Sequence, residues 1–410
     1  MPVQPALALY VHVPFCETKC PYCDFNTYAG IESLMPGYVD ALAHELTQWG
    51  AWLGRPALSS VFFGGGTPSY LPTRDLKLLM RTIHAAFDLR GDAEVTTEAN
   101  PGDAERERLQ AMRSAGFNRI SFGVQSFDDH ELQLLGRRHS ADQAKRAIES
   151  ARKAGFDNLS LDLMFGLPNQ FVSSWEHTLE EAIALGTEHI SAYALTLEGG
   201  TPMEADVRQG RTPEPDSDLA AEMYLMAQRE LATSGLQQYE ISNWAKPGLA
   251  STHNLTYWRN QPYLGAGPGA HAYLFDNGMP SLAPLGPHGT RYANMKPPRG
   301  YIQRARQWQP IGALASEALP QAAAIDTVET VTQTTAMAET MMMGLRLNEG
   351  VSDASFKERF GVTIAGAFPG ATAECIELGL LEWADGWLRL TEDARLLGNE
   401  AFGRFVAGVA

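Results

Sequence analysis

Three of the chain's four cysteines lie close together, at Cys16, Cys20 and Cys23, in the spacing C-x3-C-x2-C. Three thiolates on one short loop can hold a metal centre, but they leave a tetrahedral zinc site one ligand short. A cubane iron–sulfur cluster can be held at three of its irons, which leaves the fourth iron open to another ligand. Such a cluster suits one-electron reduction of S-adenosylmethionine (SAM), a radical chemistry that the cofactors carry.

Other uses of these cysteines stay open on the residues alone. A zinc knuckle would need His12 or Asp24 as its fourth ligand. A disulfide framework would leave one cysteine over, and nothing marks the chain as secreted. Chance clustering is disfavoured because cysteine is otherwise nearly absent from the sequence.

The composition limits the classes of protein that fit. The chain has 410 residues, a formal net charge of −16 and 44% hydrophobic residues, which indicate a folded protein of two or three domains. The acidic excess argues against a nucleic-acid partner. The N-terminus lacks the basic region of a signal peptide, and no apolar run reaches the ~18 residues of a membrane span. We therefore expect a protein of the reducing cytoplasm, without a membrane span. The oligomeric state is left open.

Strands and helices alternate through the first half of the chain. The predicted strands are Leu7–Val13, Ser60–Phe63, Ala93–Glu98, Asn118–Val124, Asn158–Phe165 and Glu188–Leu197. The predicted helices between them are Ser33–Leu53, Thr73–Phe87, Asp103–Ala115, Ser140–Ala154 and Trp175–Leu185. Repeated units of this kind imply parallel strands with right-handed crossovers. The expected fold is α/β, a partial (β/α)6 barrel, with a doubly wound sheet as the alternative.

The second half is less regular. Gly199–Asp216 is predicted to be a linker or lid, Asp218–Ser234 a helix, and Asp276–Gly300 an extended boundary. From about Thr327 the pattern is helical, and Leu380–Leu390 is predicted to form a hairpin, which suggests a small C-terminal winged-helix-like domain. The predicted domains are 1–215, which holds the cysteine loop, 216–300, an extension of the barrel, and 301–410.

Polar residues and glycines cluster where the predicted strands end, which is where ligands bind in parallel barrels. Gly64–Gly66 lacks side chains that would keep a ligand from the backbone, although a simple tight turn is the alternative. Glu98 and Gln125 end the third and fourth strands. Asp162 faces away from the leucines of its strand and so toward the interior, where an unpaired carboxylate is costly. A structural ion pair with an arginine is the alternative for Asp162.

Together these motifs resemble the coproporphyrinogen III oxidase-like branch of the radical SAM superfamily. The resemblance rests on six segments: Tyr10–Cys16, Phe63–Ser69, Glu98–Pro101, Gly123–Ser126, Asp162–Pro168 and Tyr193-Ala194. It implies a radical SAM barrel with a 4Fe–4S cluster on Cys16, Cys20 and Cys23 and with SAM on the open iron. The SAM contacts that it implies are Tyr10, Gly65, Gly66, Thr67, Glu98, Gln125, Arg137, Asp162 and Ala194, of which Arg137 is matched by its distance from Gln125.

Within this branch the chain resembles the haem chaperones more than the oxidases. Asp24-Phe25 follows Cys23, where an oxidase typically has a fourth cysteine two places on, and only nine residues precede Tyr10. His253-Asn-Leu-Thr-Tyr-Trp258 matches the HNxxYW motif of the chaperones. The resemblance implies haem as cargo, contacted by His253 and delivered to apo-proteins such as respiratory haem enzymes, some of them membrane-bound.

Two other functions remain as alternatives. One is the oxygen-independent oxidation of coproporphyrinogen III in porphyrin biosynthesis, and the other is radical chemistry on an unrelated substrate. Whether the chain is an enzyme is left open by its residues. Without the resemblance, a histidine near Tyr and Trp is more typical of a packed loop than of a haem site. Met341–Met343 and Cys375 are predicted to fill the core.

Overall fold

The computed structural model describes residues 6–310, 319 and 324–407. Its main feature is a twelve-stranded sheet in the order β12-β11-β10-β9-β1-β2-β3-β4-β5-β6-β8-β7. The strands are β1 Leu7–Val13, β2 Ala57–Gly65, β3 Asp88–Ala99, β4 Arg119–Gln125, β5 Asn158–Phe165, β6 His189–Ala194, β7 Gln237–Glu240, β8 Asn243–Ala245, β9 Tyr263–Ala266, β10 His271–Leu274, β11 Thr290–Asn294 and β12 Ile325–Thr330.

Helices connect and cover these strands. They are α1 Met35–Trp52, α2 Thr73–Ala86, α3 Arg106–Ala115, α4 Asp129–Leu134, α5 Ala141–Lys153, α6 Val172–Ala184, α7 Pro202–Arg208, α8 Ser217–Thr233, α9 Thr252–Trp258, α10 Pro298–Ala305, α11 Gln333–Gly344, α12 Asp353–Phe360, α13 Ile364–Ala367, α14 Pro369–Glu377 and α15 Gly398–Val406. Local signals set several ends: Ser140 and Gln143 form a capping box at α5, and Gly116 ends α3 in the left-handed conformation.

Strands β1 to β6 are parallel neighbours in chain order, which confirms the predicted α/β sheet built from six strand–helix units. Within the described residues the sheet stays open, with β12 at one edge and β7 at the other. One face of each strand packs under the helices. On β5, Leu159, Leu161 and Leu163 are buried in this core, and Asp162 lies on the opposite face. The carboxyl ends of the parallel strands therefore meet at one edge, around the polar face.

The second half of the chain adds strands that the sequence pattern did not predict. Ile325–Thr330 is a strand, although the chain was expected to be helical from about Thr327. It is an edge strand that pairs antiparallel with β11, and most of its side chains are exposed, so it carries no alternating apolar pattern. β11 lies in the predicted extended boundary, and α7 lies in the predicted linker.

The C-terminal part has a separate core around Phe356, Leu388 and Phe405. Helices α11 to α14 pack with a three-stranded sheet in the order β13-β15-β14, formed by Val351–Ser352, Trp387–Leu390 and Leu381–Ala384. The predicted hairpin turn is confirmed, with positive φ at both Asp385 (50°) and Gly386 (81°). This arrangement agrees with the expected small C-terminal domain. The three domain boundaries stay a prediction. No helix among the described residues is long and apolar enough to cross a membrane.

Candidate functional site

The three clustered cysteines lie on the loop that leaves the carboxyl end of β1. Their thiols are free and half-buried. The backbone N–H of Cys16 donates to the carbonyl of Tyr28 (3.0 Å), and that of Cys23 donates to the carbonyl of Cys20 (3.2 Å). The hydroxyl of Thr67, from the loop after β2, donates to the Cys16 sulfur at 3.7 Å. The loop is thus folded back on itself and held against the neighbouring strand.

Distant parts of the chain hold the same loop. The Asn26 amide donates to the carbonyls of Pro268 (2.9 Å) and Lys296 (3.0 Å), which lie beyond β9 and β11. His12 Nε2 is 3.0 Å from the Asn26 carbonyl, and His12 Nδ1 is 3.0 Å from the Tyr10 hydroxyl. Both ring nitrogens of His12 therefore have partners, which does not favour His12 as a fourth zinc ligand.

The loop after β2 passes close to the cysteine loop because it lacks side chains. Gly66 N–H donates to the carbonyl of Val13 at 2.7 Å, and a Cβ on Gly66 would meet the Phe15 carbonyl oxygen at 2.6 Å. Gly65 has φ +107°, and a Cβ there would meet the His12 ring at 2.4 Å. These two glycines are thus required by close packing, beyond the needs of a simple turn.

Two half-buried carboxyl groups lie beside this loop. Glu98 Oε2 accepts a hydrogen bond from Gly65 N–H at 3.1 Å. Burial, reinforced by the nearby Asp162, raises the pKa of Glu98 to about 8. Asp162 accepts from the Ser121 hydroxyl at 3.0 and 3.2 Å, and burial raises its pKa as well. A positively charged ligand next to these groups would favour their ionised forms.

An arginine completes the surroundings of the cysteines. Arg137 donates to the sulfur of Cys20 (3.3 Å) and to the carbonyl of Gly123 (2.6 Å), and its Nε is buried without a hydrogen-bond partner in the part of the chain that the structure describes. Gln125 has φ 72°, an uncommon conformation for a residue other than glycine. This backbone strain lies at the end of β4, where strain is often associated with function.

These groups surround one open cleft of about 860 Å³, solvent at its mouth included. Ten predicted site residues line it: Cys16, Cys20, Cys23, Gly65, Gly66, Thr67, Glu98, Gln125, Arg137 and Asp162. Across residues 6–310, 319 and 324–407, no three His, Cys, Asp or Glu side chains are placed to hold a single metal ion. A cluster of several irons takes each thiolate on a separate iron, so three thiols around a cleft with a guanidinium fit that group.

Three predicted site residues lie outside this lining. Tyr10 is on β1, hydrogen-bonded to His12, and the influence of Glu98 adds to burial in raising the pKa of its hydroxyl. Ala194 ends β6 and is exposed. His253 is on α9 and is 1% exposed. Tyr10 thus adjoins the cleft through Glu98, while Ala194 is exposed and His253 is buried outside the cleft.

The imidazole of His253 contacts three neighbouring side chains. Its Nδ1 is 2.9 Å from the Ser60 hydroxyl, and its Nε2 is 2.9 Å from the Tyr257 hydroxyl. Its ring stacks on Phe62, with centroids 5.1 Å apart. Burial, aided by the positive charge of Arg119, lowers the pKa of His253 to about 3. The imidazole is thus neutral at physiological pH, and both of its nitrogens have partners in this conformation.

A second buried histidine, His189, also has a hydroxyl group at each ring nitrogen, and the sequence pattern did not reveal it. His189 on β6 has Nδ1 2.8 Å from the Ser160 hydroxyl and Nε2 2.9 Å from the Tyr239 hydroxyl. Arg119 on β4 is 2% exposed, and its positive charge helps burial to lower the pKa values of both buried histidines. Alternation along β4 places Arg119, Ser121 and Gly123 on one face, a pattern that could have revealed Ser121 as the partner of Asp162.

The chain is similar to known protein families and to a solved structure. The chain matches the family model of the radical SAM superfamily over residues 10–182 and that of the HemN C-terminal domain over residues 331–397. The solved structure of coproporphyrinogen III oxidase (HemN) from Escherichia coli is similar in fold, with a TM-score of 0.79 over 98% of this chain and 90% of that chain, at 22% sequence identity.

Similar named proteins indicate which family within the radical SAM superfamily the chain belongs to. The heme chaperone HemW of Bacillus subtilis is 39% identical over 398 residues, which cover 97% of this chain and 98% of the relative. HemW of Mycobacterium tuberculosis H37Rv is 36% identical over 97% of this chain and 94% of the relative. The mouse mitochondrial radical S-adenosyl methionine domain-containing protein 1 is 46% identical over 66% of this chain and 61% of its own length. The chain belongs to the HemW family of the radical SAM superfamily.

Proposed function

We propose that the protein is a haem chaperone, which binds haem and delivers it to apo-proteins such as respiratory haem enzymes. The observation that carries this proposal is the likeness to proteins named heme chaperone HemW along nearly the whole of both chains, at 36–39% identity. The similarity to the oxidase HemN, at 22% identity, concerns the fold alone. The proposed place of action is the reducing cytoplasm, which suits four free cysteines.

The cysteine cleft is proposed to hold a 4Fe–4S cluster through Cys16, Cys20 and Cys23, with SAM beside it. When bound, this pair supplies one-electron reduction of SAM. The donor set supports the proposal, because three thiols, a guanidinium and two carboxyl groups line one cleft. The proposed SAM contacts are Tyr10, Gly65, Gly66, Thr67, Glu98, Gln125, Arg137, Asp162 and Ala194.

The glycines, the carboxyl groups and the arginine of this cleft have different proposed roles. Gly65 and Gly66 let the loop after β2 lie directly against the cysteine loop, since any side chain there would collide with the first strand and its loop. Glu98 and Asp162 place negative charge where the cationic SAM would bind. Arg137 donates to the Cys20 sulfur at 3.3 Å, which places a positive charge beside one of the proposed cluster ligands.

The cluster is tested by metal and sulfide analysis of anaerobically prepared protein. We expect iron and sulfide to be lost in Cys16→Ala, Cys20→Ala and Cys23→Ala proteins. Cys375→Ala should retain them, because Cys375 is buried in the separate C-terminal core. Stoichiometric zinc without iron in the wild-type protein would contradict the proposal.

The chaperone function is tested by haem titration and by turnover. Wild-type protein should bind hemin and transfer it to an apo-haem protein. Reduced anaerobically with SAM and coproporphyrinogen III, it should release no carbon dioxide above background. Sustained release over many turnovers would favour the alternative, an oxygen-independent coproporphyrinogen III oxidase.

A further inference from the structure

A second cleft lies where the end of α9 meets the C-terminal helices. It is an open cleft of about 790 Å³, solvent at its mouth included, and it shares no lining residue with the cysteine cleft. Its lining comes from the turn after α9, from α11, from the segment 347–352, from α12 and from β15. Clefts between packed helices are a usual place for a small-molecule ligand.

Aromatic side chains form much of this cleft. Trp258 at the end of α9 and Trp387 on β15 are both half-buried, and Phe356 and Phe360 of α12 also line the cleft. The indole N–H of Trp258 is buried without a hydrogen-bond partner in the described part of the chain. Flat aromatic walls favour a flat, largely apolar ligand.

The cleft carries positive charge, although the whole chain has a formal net charge of −16. Of its two arginines, Arg259 pairs with Glu349 at 2.9 Å. The guanidinium of Arg359 donates to the carbonyl of Asn260 and the hydroxyl of Tyr273, and its Nε is buried without a partner in the described residues. No carboxylate of the described residues forms an ion pair with Arg359.

A half-buried guanidinium without a carboxylate partner has capacity for an anion. The chain already stabilises this cation in part, since Arg359 lies 4.3 Å from the Phe275 ring centroid and 5.0 Å from that of Phe360. A carboxylate of the ligand would supply the missing charge-assisted hydrogen bond. The cleft thus fits a planar aromatic molecule that carries a carboxylate at its edge.

We propose that this cleft binds the haem of the proposed function, with the macrocycle against the aromatic side chains and a propionate at Arg359. The inference rests on the proposed function and adds the location and the mode of recognition. No histidine is part of the lining among the described residues, and both nitrogens of His253 already have partners. The ring and its carboxylates are therefore recognised, and coordination of the iron is not required.

Ligands test the mode of recognition without any change to the protein. Hemin and iron-free protoporphyrin IX should bind with dissociation constants within about threefold of each other, which corresponds to less than 1 kcal/mol. Hemin dimethyl ester, which lacks the free carboxylates, should bind at least about tenfold more weakly. A loss of more than about tenfold for protoporphyrin IX would show that iron coordination dominates and would overturn the proposal.

Two exposed positions on α12 test the location. Ser355 lines the cleft, and Lys357, two residues on, does not. Ser355→Trp should fill part of the cleft and weaken hemin binding by at least about tenfold, whereas Lys357→Trp should leave it within about threefold. Circular dichroism of both proteins checks that they fold alike.

The outcomes separate the two proposals. If wild-type protein binds no hemin, the proposed chaperone function fails. If wild-type protein binds hemin and Ser355→Trp binds it equally well, the function stands and this cleft is not the site. If His253→Gln abolishes the binding of hemin in a folded protein while Ser355→Trp does not affect it, the site is at His253 in an altered conformation.

Discussion

Glu98 is a half-buried carboxyl group whose pKa of about 8 makes ligand binding sensitive to pH. It is protonated near pH 6, and the cationic SAM should favour its ionised form, so binding should release a proton. We expect the affinity for SAM to rise from pH 6 to 8, by at most about tenfold per pH unit for one proton. Calorimetric titration of anaerobic, cluster-loaded protein measures this slope.

The matched variant for this prediction is Glu98→Gln, which keeps the shape of the side chain and cannot ionise. Its affinity for SAM should be lower at pH 8 and should vary less with pH than that of the wild type. The amino group of SAM titrates in both proteins, so the difference between the two slopes belongs to Glu98. An equal slope in both proteins would show that Glu98 does not face the ligand.

His253 makes the stability of the protein sensitive to acid. Its pKa is about 3 in the folded protein and near 6.5 when unfolded, so the unfolded state binds more protons between these values. The histidine's contribution to stability is present above pH 6.5 and is lost as pH falls toward 3. One such proton changes the free energy of unfolding by about 1.4 kcal/mol per pH unit.

Denaturant unfolding at pH 7, 6 and 5 measures this effect. His253→Gln should be less stable than the wild type at pH 7 and should lose less stability on acidification. The exposed His130→Gln is the control and should keep the wild-type slope. His189, whose pKa is also lowered by burial, remains in both proteins. An unchanged slope in His253→Gln would contradict the assignment of a neutral, buried imidazole.

At the scale of elements, the glycine loop after β2 depends on its missing side chains. A Cβ on Gly66 would meet the carbonyl oxygens of Phe15 at 2.6 Å and Val13 at 2.9 Å, both backbone atoms. Gly66→Ala should therefore destabilise the protein by about 1–3 kcal/mol and lower its iron content, because the cysteine loop would be displaced. Gly91→Ala is the control, since a Cβ there meets nothing within 4 Å. Equal iron content in the two variants would contradict this account.

Local patterns predicted the elements around the cysteine cleft well, for physical reasons. Leu7–Val13 and Asn158–Phe165 have the predicted bounds, since their apolar side chains face a continuous core. The strand Ile325–Thr330 was wrongly predicted to be helical, because an edge strand owes its conformation to pairing with a partner from elsewhere in the chain. The short helix Pro202–Arg208 was missed because its seven residues lie in a segment rich in glycine, proline and charge.

At the scale of the whole molecule, the sequence was sufficient to predict which site residues lie at strand ends. It was not sufficient to predict the contacts between distant segments. Ten of thirteen predicted site residues line one cleft because parallel strands end at one edge. The hydrogen bonds from Asn26 to Pro268 and Lys296 join positions more than 240 residues apart. No local pattern encodes such a pairing, nor the cleft between Trp258 and α12.

The two clefts share no lining residue, so cluster loading and haem binding should be separable in one protein. A variant with Cys16, Cys20 and Cys23 all changed to Ser should lack iron and sulfide and should bind hemin within about threefold of the wild-type affinity. Ser355→Trp should show the reverse, with full iron content and weakened hemin binding, because α12 belongs to the other core. Iron analysis and absorbance titration of the same preparations measure both properties. If the cysteine variant loses hemin binding while it remains folded, the cargo is bound at the cluster cleft, and the two sites are one.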